Sequence, residues 1–289
     1  MKWKTKITEM IGCQYPIVLG AFAGYDNKEL TAALSQAGAF GVLTASAYSN
    51  KTKFRNTIEY IKNNTKNPFG INFSLDSALT PTHPFYDYLN IALDEGIKTI
   101  ITAAFRADDF GKKIKENGMI WIHKATTIRH AISGEKMGAD AVILTGLEGG
   151  GLKNPKQNTL LINMVNAKRF LKKPLIASGG ISDGKGMVAA LILGAQAVHM
   201  CTAFLPTKES PIPETWKKKI LNTDCFNPEF IEKVLHFKSK RPQYTDMSMA
   251  IPIHKEILSV KEMINRMVQE AEKILNNMKI KEDLIDFSK

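Results

Sequence analysis

Short apolar runs alternate with amphipathic stretches along most of the chain. The runs fall at residues 16–20, 41–44, 69–73, 99–103, 119–122, 141–144, 175–177 and 197–200. None shows the alternating polar face of a half-exposed strand, so each reads as a strand covered on both sides. Between them lie segments with apolar residues at helical spacing, expected as helices over 28–37, 52–63, 84–95, 107–117, 127–137, 158–171 and 184–193. Asp26 or Asn27 is a candidate cap for the first of these, and Gly38, Gly96, Gly118 and Gly138 are expected stop signals. A strand-helix rhythm repeated to eight strands predicts a parallel sheet closed into a (β/α)8 TIM barrel of the α/β class.

After Phe204 the rhythm changes. Pro206, Pro211, Pro213 and Pro228 interrupt the chain, two short helices are expected at 214–221 and 228–236, and 239–250 reads as loop. A last helix over 255–278 puts Met263, Ile264, Met267, Val268 and Ala271 on one face. The expected organisation is a barrel built from 1–205 and 251–289, with 206–250 as a small C-terminal insertion, a lid before the last helix.

The length of 289 residues suits one large core. The net charge of +11 admits acidic partners, but the lysines are scattered and no basic run carries interleaved aromatics, so nucleic acid is not the expected partner. Three cysteines, Cys13, Cys201 and Cys225, are too few and too separated for a disulfide framework. With no apolar run of membrane-spanning length and no leader pattern, the expectation is a cytoplasmic protein without membrane contact.

In such a barrel the residues following each strand share one mouth. Collected there are Gly20–Gly24, Thr44–Ser46, Asn72, Ala103–Phe105, His123, Lys124, the loop 145–153, Ser178, Gly179, Gly180, Met200, Cys201 and Thr202. Small residues dominate and carboxylates are scarce, Glu148 being the main one, so metal chemistry is not expected. Gly179 and Gly180 let backbone N–H groups approach a phosphate after the seventh strand, with Ser182 or Asp183 available to cap the following helix.

The successive motifs PIVLGAFAG, FGINF, IHKATT, GADAVILTGLEGGG and PLIASGGISDGKGMVAALILGAQAVHMCTAFL resemble those of the nitronate monooxygenase family, also known as 2-nitropropane dioxygenase. That family includes FMN-dependent enoyl-acyl-carrier-protein reductases. The resemblance covers about residues 12–205 and implies a flavoprotein with FMN at the barrel mouth. It implies FMN-phosphate contacts at Gly179, Gly180, Cys201 and Thr202, ring contacts at Ala21, Phe22 and Ala23, and a hydrogen bond from Asn72. Lys124 would approach the flavin's N1 and O2 edge, while Glu148, Gly150, Gly151, Ser178 and Met200 complete the expected cofactor shell.

Two departures stand out. Where the family has a histidine in the loop after the sixth strand, this chain has Leu152, which cannot carry a proton. Cys201 replaces the glycine usual after the eighth strand. His123 and Lys124 are the candidate catalytic residues in place of that histidine, with Lys153 a weaker one. Arg241 in the lid is a candidate for a substrate anion, and His199 is expected to point out into the helix layer.

The resulting expectation is an FMN-dependent oxidoreductase that oxidises alkyl nitronates with O2. Alternatives are an NAD(P)H-dependent enoyl reductase acting on acyl-carrier-protein or CoA thioesters, or a quinone reductase; a flavin-binding barrel without catalysis; and a phosphosugar isomerase or lyase using Lys124. The partners this admits are a small-molecule substrate, an acyl-CoA or acyl-carrier protein, and a second copy in a homodimer.

Overall fold

The structure, a computed structural model, describes residues 2–21, 24–75, 84–235, 243–245 and 247–278. The chain opens with a short helix the hydrophobic pattern does not announce, α1 (Lys6–Ile11), closed by a capping box between Thr5 and Thr8. The alternation then runs β1 (Ile17–Leu19), α2 (Lys28–Gln36), β2 (Gly41–Thr44), α3 (Lys51–Asn64), β3 (Phe69–Ser74), α4 (Phe85–Asp94), β4 (Thr99–Ala103) and α5 (Asp108–Glu116). It continues through β5 (Ile120–Ala125), α6 (Ile128–Lys136), β6 (Ala141–Thr145), a short β7 (Gly151–Lys153), α7 (Leu160–Ala167), β8 (Leu175–Ser178), α8 (Gly184–Ile192) and β9 (Ala197–Met200).

Eight of these strands form one parallel sheet in the order β1-β9-β8-β6-β5-β4-β3-β2. A parallel bridge between Val18 and Phe40 joins its two ends. Leu19 N–H donates to the Phe40 carbonyl at 2.9 Å, and Phe40 N–H to the Ile17 carbonyl at 2.8 Å. The sheet is therefore a (β/α)8 TIM barrel, as the rhythm predicts.

The local chemistry explains most boundaries. Asn50, Thr127 and Asp183 each accept a backbone N–H at the start of α3, α6 and α8. Asn27, expected as a cap, stands at the start of α2 but spends its side chain on β2, donating to the Val42 carbonyl at 2.9 Å and accepting from Thr44 N–H. Asp26 accepts from Lys28 N–H at 3.3 Å and from the Tyr48 hydroxyl at 2.6 Å.

The sixth helix is shorter than its apolar pattern, because Lys168 to Leu171 turn out of it after Ala167. Beyond β9 lie α9 (Glu214–Leu221), α10 (Pro228–Leu235), β10 (Gln243–Thr245) and α11 (Val260–Asn277). The last helix begins five residues later than expected, where Ser259 and Glu262 close a capping box. β10 corrects the expectation of a loop: it pairs antiparallel with β7, setting Tyr244 opposite Leu152.

The strands' outer faces pack tightly on the helices. In α5, a Cβ on Gly111 would lie 2.2 Å from the Trp121 ring. Alanine normally favours a helix over glycine by up to about 1 kcal/mol. Here the sign reverses: Gly111→Ala is expected to destabilise the protein by about 1–3 kcal/mol through overpacking, read as a lower urea midpoint.

Candidate functional site

At the C-terminal ends of the strands lies a cavity of about 630 Å3. Its floor and sides come from Gly20, Ala21, Lys124, Ser178, His199 and Cys201, its outer wall from Leu152, Tyr244, Thr245 and Trp216. Among the described residues no aspartate or glutamate lines it, and Lys124 is its one lysine or arginine.

Strand alternation decides which candidates enter. β5 extends to Ala125, so His123 and Lys124 are adjacent strand residues and face opposite sides. Lys124 points into the cavity and makes no hydrogen bond or ion pair with any described residue. Burial lowers its pKa, opposed by nearby Cys201. His123 faces the helices, against Gly134 of α6. The Trp121 indole donates to the Thr102 hydroxyl at 2.8 Å, leaving that hydroxyl's proton for His123 Nδ1, also 2.8 Å away. His123 is thus a packed structural residue and not part of the cavity, which corrects its candidacy.

His199 is the opposite case. Expected outside, it lies inside, where its Nδ1 pairs with Ser178 Oγ at 2.9 Å. Burial, then the nearby Lys124 charge, hold its pKa well below the usual histidine value, so it is neutral.

Two loops form a cradle beside this floor. Gly179 and Gly180 follow β8 with φ of 101° and 72°. A Cβ on Gly179 would lie 2.7 Å from Gly149 N, so only glycine permits this approach of the two loops. Cys201 and Thr202 follow β9. The N–H groups of Gly179, Gly180, Cys201 and Thr202 donate to no described protein acceptor. The Thr202 hydroxyl accepts from Ser248 N–H at 3.0 Å and keeps its proton to donate. Unspent donors converging without carboxylates fit an anion such as a phosphate. A Cβ on Gly20 would lie 2.7 Å from Cys201 Cβ and 3.2 Å from His199 Cε1, so the wall there is flat.

Of the other expected cofactor residues, Ala21, Gly150, Gly151, Ser178 and Met200 line the cavity. Phe22, Ala23 and Arg241 lie outside the described residues. Asn72 is buried below Ser74, to whose hydroxyl it donates at 3.1 Å, and does not line the cavity. Glu148 turns away: both its carboxylate oxygens accept from Leu160 N–H at the start of α7, a favourable end for an anion. Sequence reasoning misses the aromatic wall, in which Tyr25 and Trp216 rings sit 6.2 Å apart. Ala103 and Ala104, expected at the mouth, line the cavity, and Ala104 is a non-glycine residue with φ of 77°, a conformation the sequence does not announce. Phe105 N–H reaches back to the Ala103 carbonyl at 3.2 Å, closing a tight, strained turn around it.

The architecture and site define a (β/α)8 barrel with a lysine facing a cavity that no described carboxylate lines. The model of the nitronate monooxygenase family matches residues 4–247, and the chain belongs to that family. A Rhodococcus jostii (strain RHA1) protein described as (3aS,4S,5R,7aS)-5-hydroxy-7a-methyl-1-oxo-octahydro-1H-indene-4-carboxyl-CoA dehydrogenase is 34% identical over 218 residues. That match covers 75% of this chain but only 60% of the relative's length. A probable nitronate monooxygenase of Staphylococcus aureus (strain MSSA476) is 28% identical, covering 89% of this chain and 85% of the relative. Among solved structures, FabK from Thermotoga maritima superposes with a TM-score of 0.81 at 26% identity, covering 96% of this chain and 98% of its own. A nitroalkane oxidase from Streptomyces ansochromogenes shares the fold with a TM-score of 0.75 at 20% identity, covering 94% and 99%. No helix of the described residues is long and apolar enough to cross a membrane.

The assignment of His123 to the packing layer carries a pH signature. Burial lowers its pKa from 6.5 to about 4, so the folded protein resists a proton that the unfolded chain accepts. Unfolding free energy is therefore expected to fall as pH drops from 6.5 to 4, with His123 contributing about 3 kcal/mol of the loss. His123→Asn should flatten that part of the pH profile in denaturant titrations.

Proposed function

We propose that this protein is an FMN-dependent oxidoreductase that oxidises ionised alkyl nitronates with O2. The observation that carries this reading is the convergence of unspent N–H donors on the acid-free cavity into which the Lys124 amine projects. FMN, when bound, supplies the two-electron acceptor that the chain's own side chains lack. The N–H groups of Gly179, Gly180 and Cys201, with the Thr202 hydroxyl, hold its phosphate; Gly20 and Ala21 provide the flat wall for its ring.

Lys124 offers the charge. Its amine is desolvated and makes no ion pair with any described residue, so an anion beside it would favour the protonated form and be held by it in turn. Leu152 stands where the family resemblance places a proton-accepting histidine, and His123 faces away. With no base at either position, the substrate arrives already ionised, as a nitronate and not as the neutral nitroalkane. The segment 206–250 serves as a lid, with Trp216 and Tyr244 excluding water from the mouth.

The purified protein is expected to show flavin absorption bands and to release FMN on denaturation. It should consume a preformed alkyl nitronate at least about 100-fold faster than the parent nitroalkane at the same pH, the margin a proton-transfer group provides at its lower end. Leu152→His should narrow that gap. Gly180→Asp, which places a carboxylate in the cradle, should expel the flavin; full retention would overturn the assigned phosphate site. A second reading, reduction of an enoyl thioester or a quinone by NAD(P)H, is favoured by the CoA dehydrogenase relative and by the FabK superposition. Steady NADH oxidation by such an acceptor without nitronate consumption would replace the first reading with this one.

A further inference from the structure

Lys153 is 3% exposed, yet its ammonium has no carboxylate bonded to it. Its Nζ donates to the Leu147 carbonyl, which is its one hydrogen-bond acceptor among the described residues. Burying a lysine behind one neutral acceptor is costly, and a surface position costs nothing of the kind. Burial pushes its pKa down to about 8, with Glu148 raising it and Lys124 lowering it.

The position of the amine shows what it joins. Leu152 and Tyr244, paired across the β7–β10 ribbon, both line the cavity. Lys153, the next residue along β7, faces the other way, onto the loop after β6. Leu147, whose carbonyl it holds, is fixed on its other side by its own N–H to the Asn158 carbonyl at 2.8 Å. Two residues on, Gly149 N–H closes back on Gly146 at 2.9 Å and its backbone packs on Gly179. One amine therefore bridges the outer wall of the cavity and the loop that shapes the phosphate cradle.

We propose that Lys153 is a positioning residue that latches the β7–β10 ribbon to the cradle loop, so that closure of the cavity wall and retention of the cofactor are coupled through this buried ammonium. The cofactor half of the proposal rests on the flavin reading above; the ribbon half does not. A lysine kept only for packing would be replaced without loss by methionine, which has a similar stem. A latch would not.

The test is Lys153→Met in the full chain, read in two ways. In the protein stripped of cofactor, hydrogen exchange at the β7 and β10 amides is expected to quicken about tenfold or more, while exchange in β8 and β9 stays unchanged. Because the variant no longer buries a charge, its thermal midpoint should hold or rise. FMN affinity should fall about 10- to 100-fold, the span of one charged hydrogen bond. Ribbon exchange equal to wild type overturns the latch whatever happens to FMN, and so does a thermal midpoint that falls in step with FMN affinity. Wild-type protein that takes up no FMN defeats the flavin reading, and the ribbon exchange still decides the latch. Should the methionine variant fail to fold, Lys153→Gln replaces it: faster ribbon exchange supports the latch and unchanged exchange overturns it.

Discussion

Closing the ring of eight parallel strands leaves every strand side chain one of two destinations, the barrel interior or the helix layer. The rest of the site follows from that binary choice. On β5 it sends Lys124 inward and His123 outward. On β9 it brings His199 inside to Ser178, and on the β7–β10 ribbon it gives Leu152 to the cavity and Lys153 to the loop behind. A one-residue shift of β5 or of β7 would exchange a neutral or apolar group and a lysine in the same place. The cavity's charge pattern is in this sense a property of the register.

The barrel itself was legible because its signals are local. Eight apolar runs, a helix opened by Asp183, and stops such as Gly38 and Gly138 report backbone geometry within a few residues. The glycine cradle was legible for the same reason, since Gly179 must be glycine wherever its loop meets another. What could not be read was facing. His123 and Lys124 look alike as neighbours at a strand end, and only the strand's true length, six residues to Ala125, separates them. Glu148 looked like a cofactor contact because its loop is at the mouth, but a free helix N-terminus twelve residues on takes its carboxylate. The ribbon was invisible because β7 and β10 are three residues each and about ninety apart in sequence, with no turn between them to announce the pairing.

The cavity wall and the lid belong to one another through that ribbon. Trp216 comes from α9, Tyr244 from β10, and Ser248 fastens the following turn to Thr202 at the cradle. The insertion is therefore tied to the loops after β9 and β6, directly at Thr202 and, through its pairing with β7, by Lys153 at Leu147. Among its described residues, those that line the cavity, Trp216, Tyr244, Thr245, Ser248 and Ala250, carry no charge.

The two buried lysines of the site, 124 and 153, share a cost and divide its use. Both amines have pKa values lowered by burial, and the Lys124 charge lowers that of Lys153 further. An anion bound beside Lys124 relieves the strain on both at once: it pairs with the first amine directly and removes part of the repulsion felt by the second. No carboxylate among the described residues lines the cavity beside Lys124, while Glu148 favours the charged form of Lys153, so an anion beside Lys124 would stabilise the folded chain. The absence of an acid among the described lining residues leaves the Lys124 amine without a partner there, and on that feature the anion-binding reading rests.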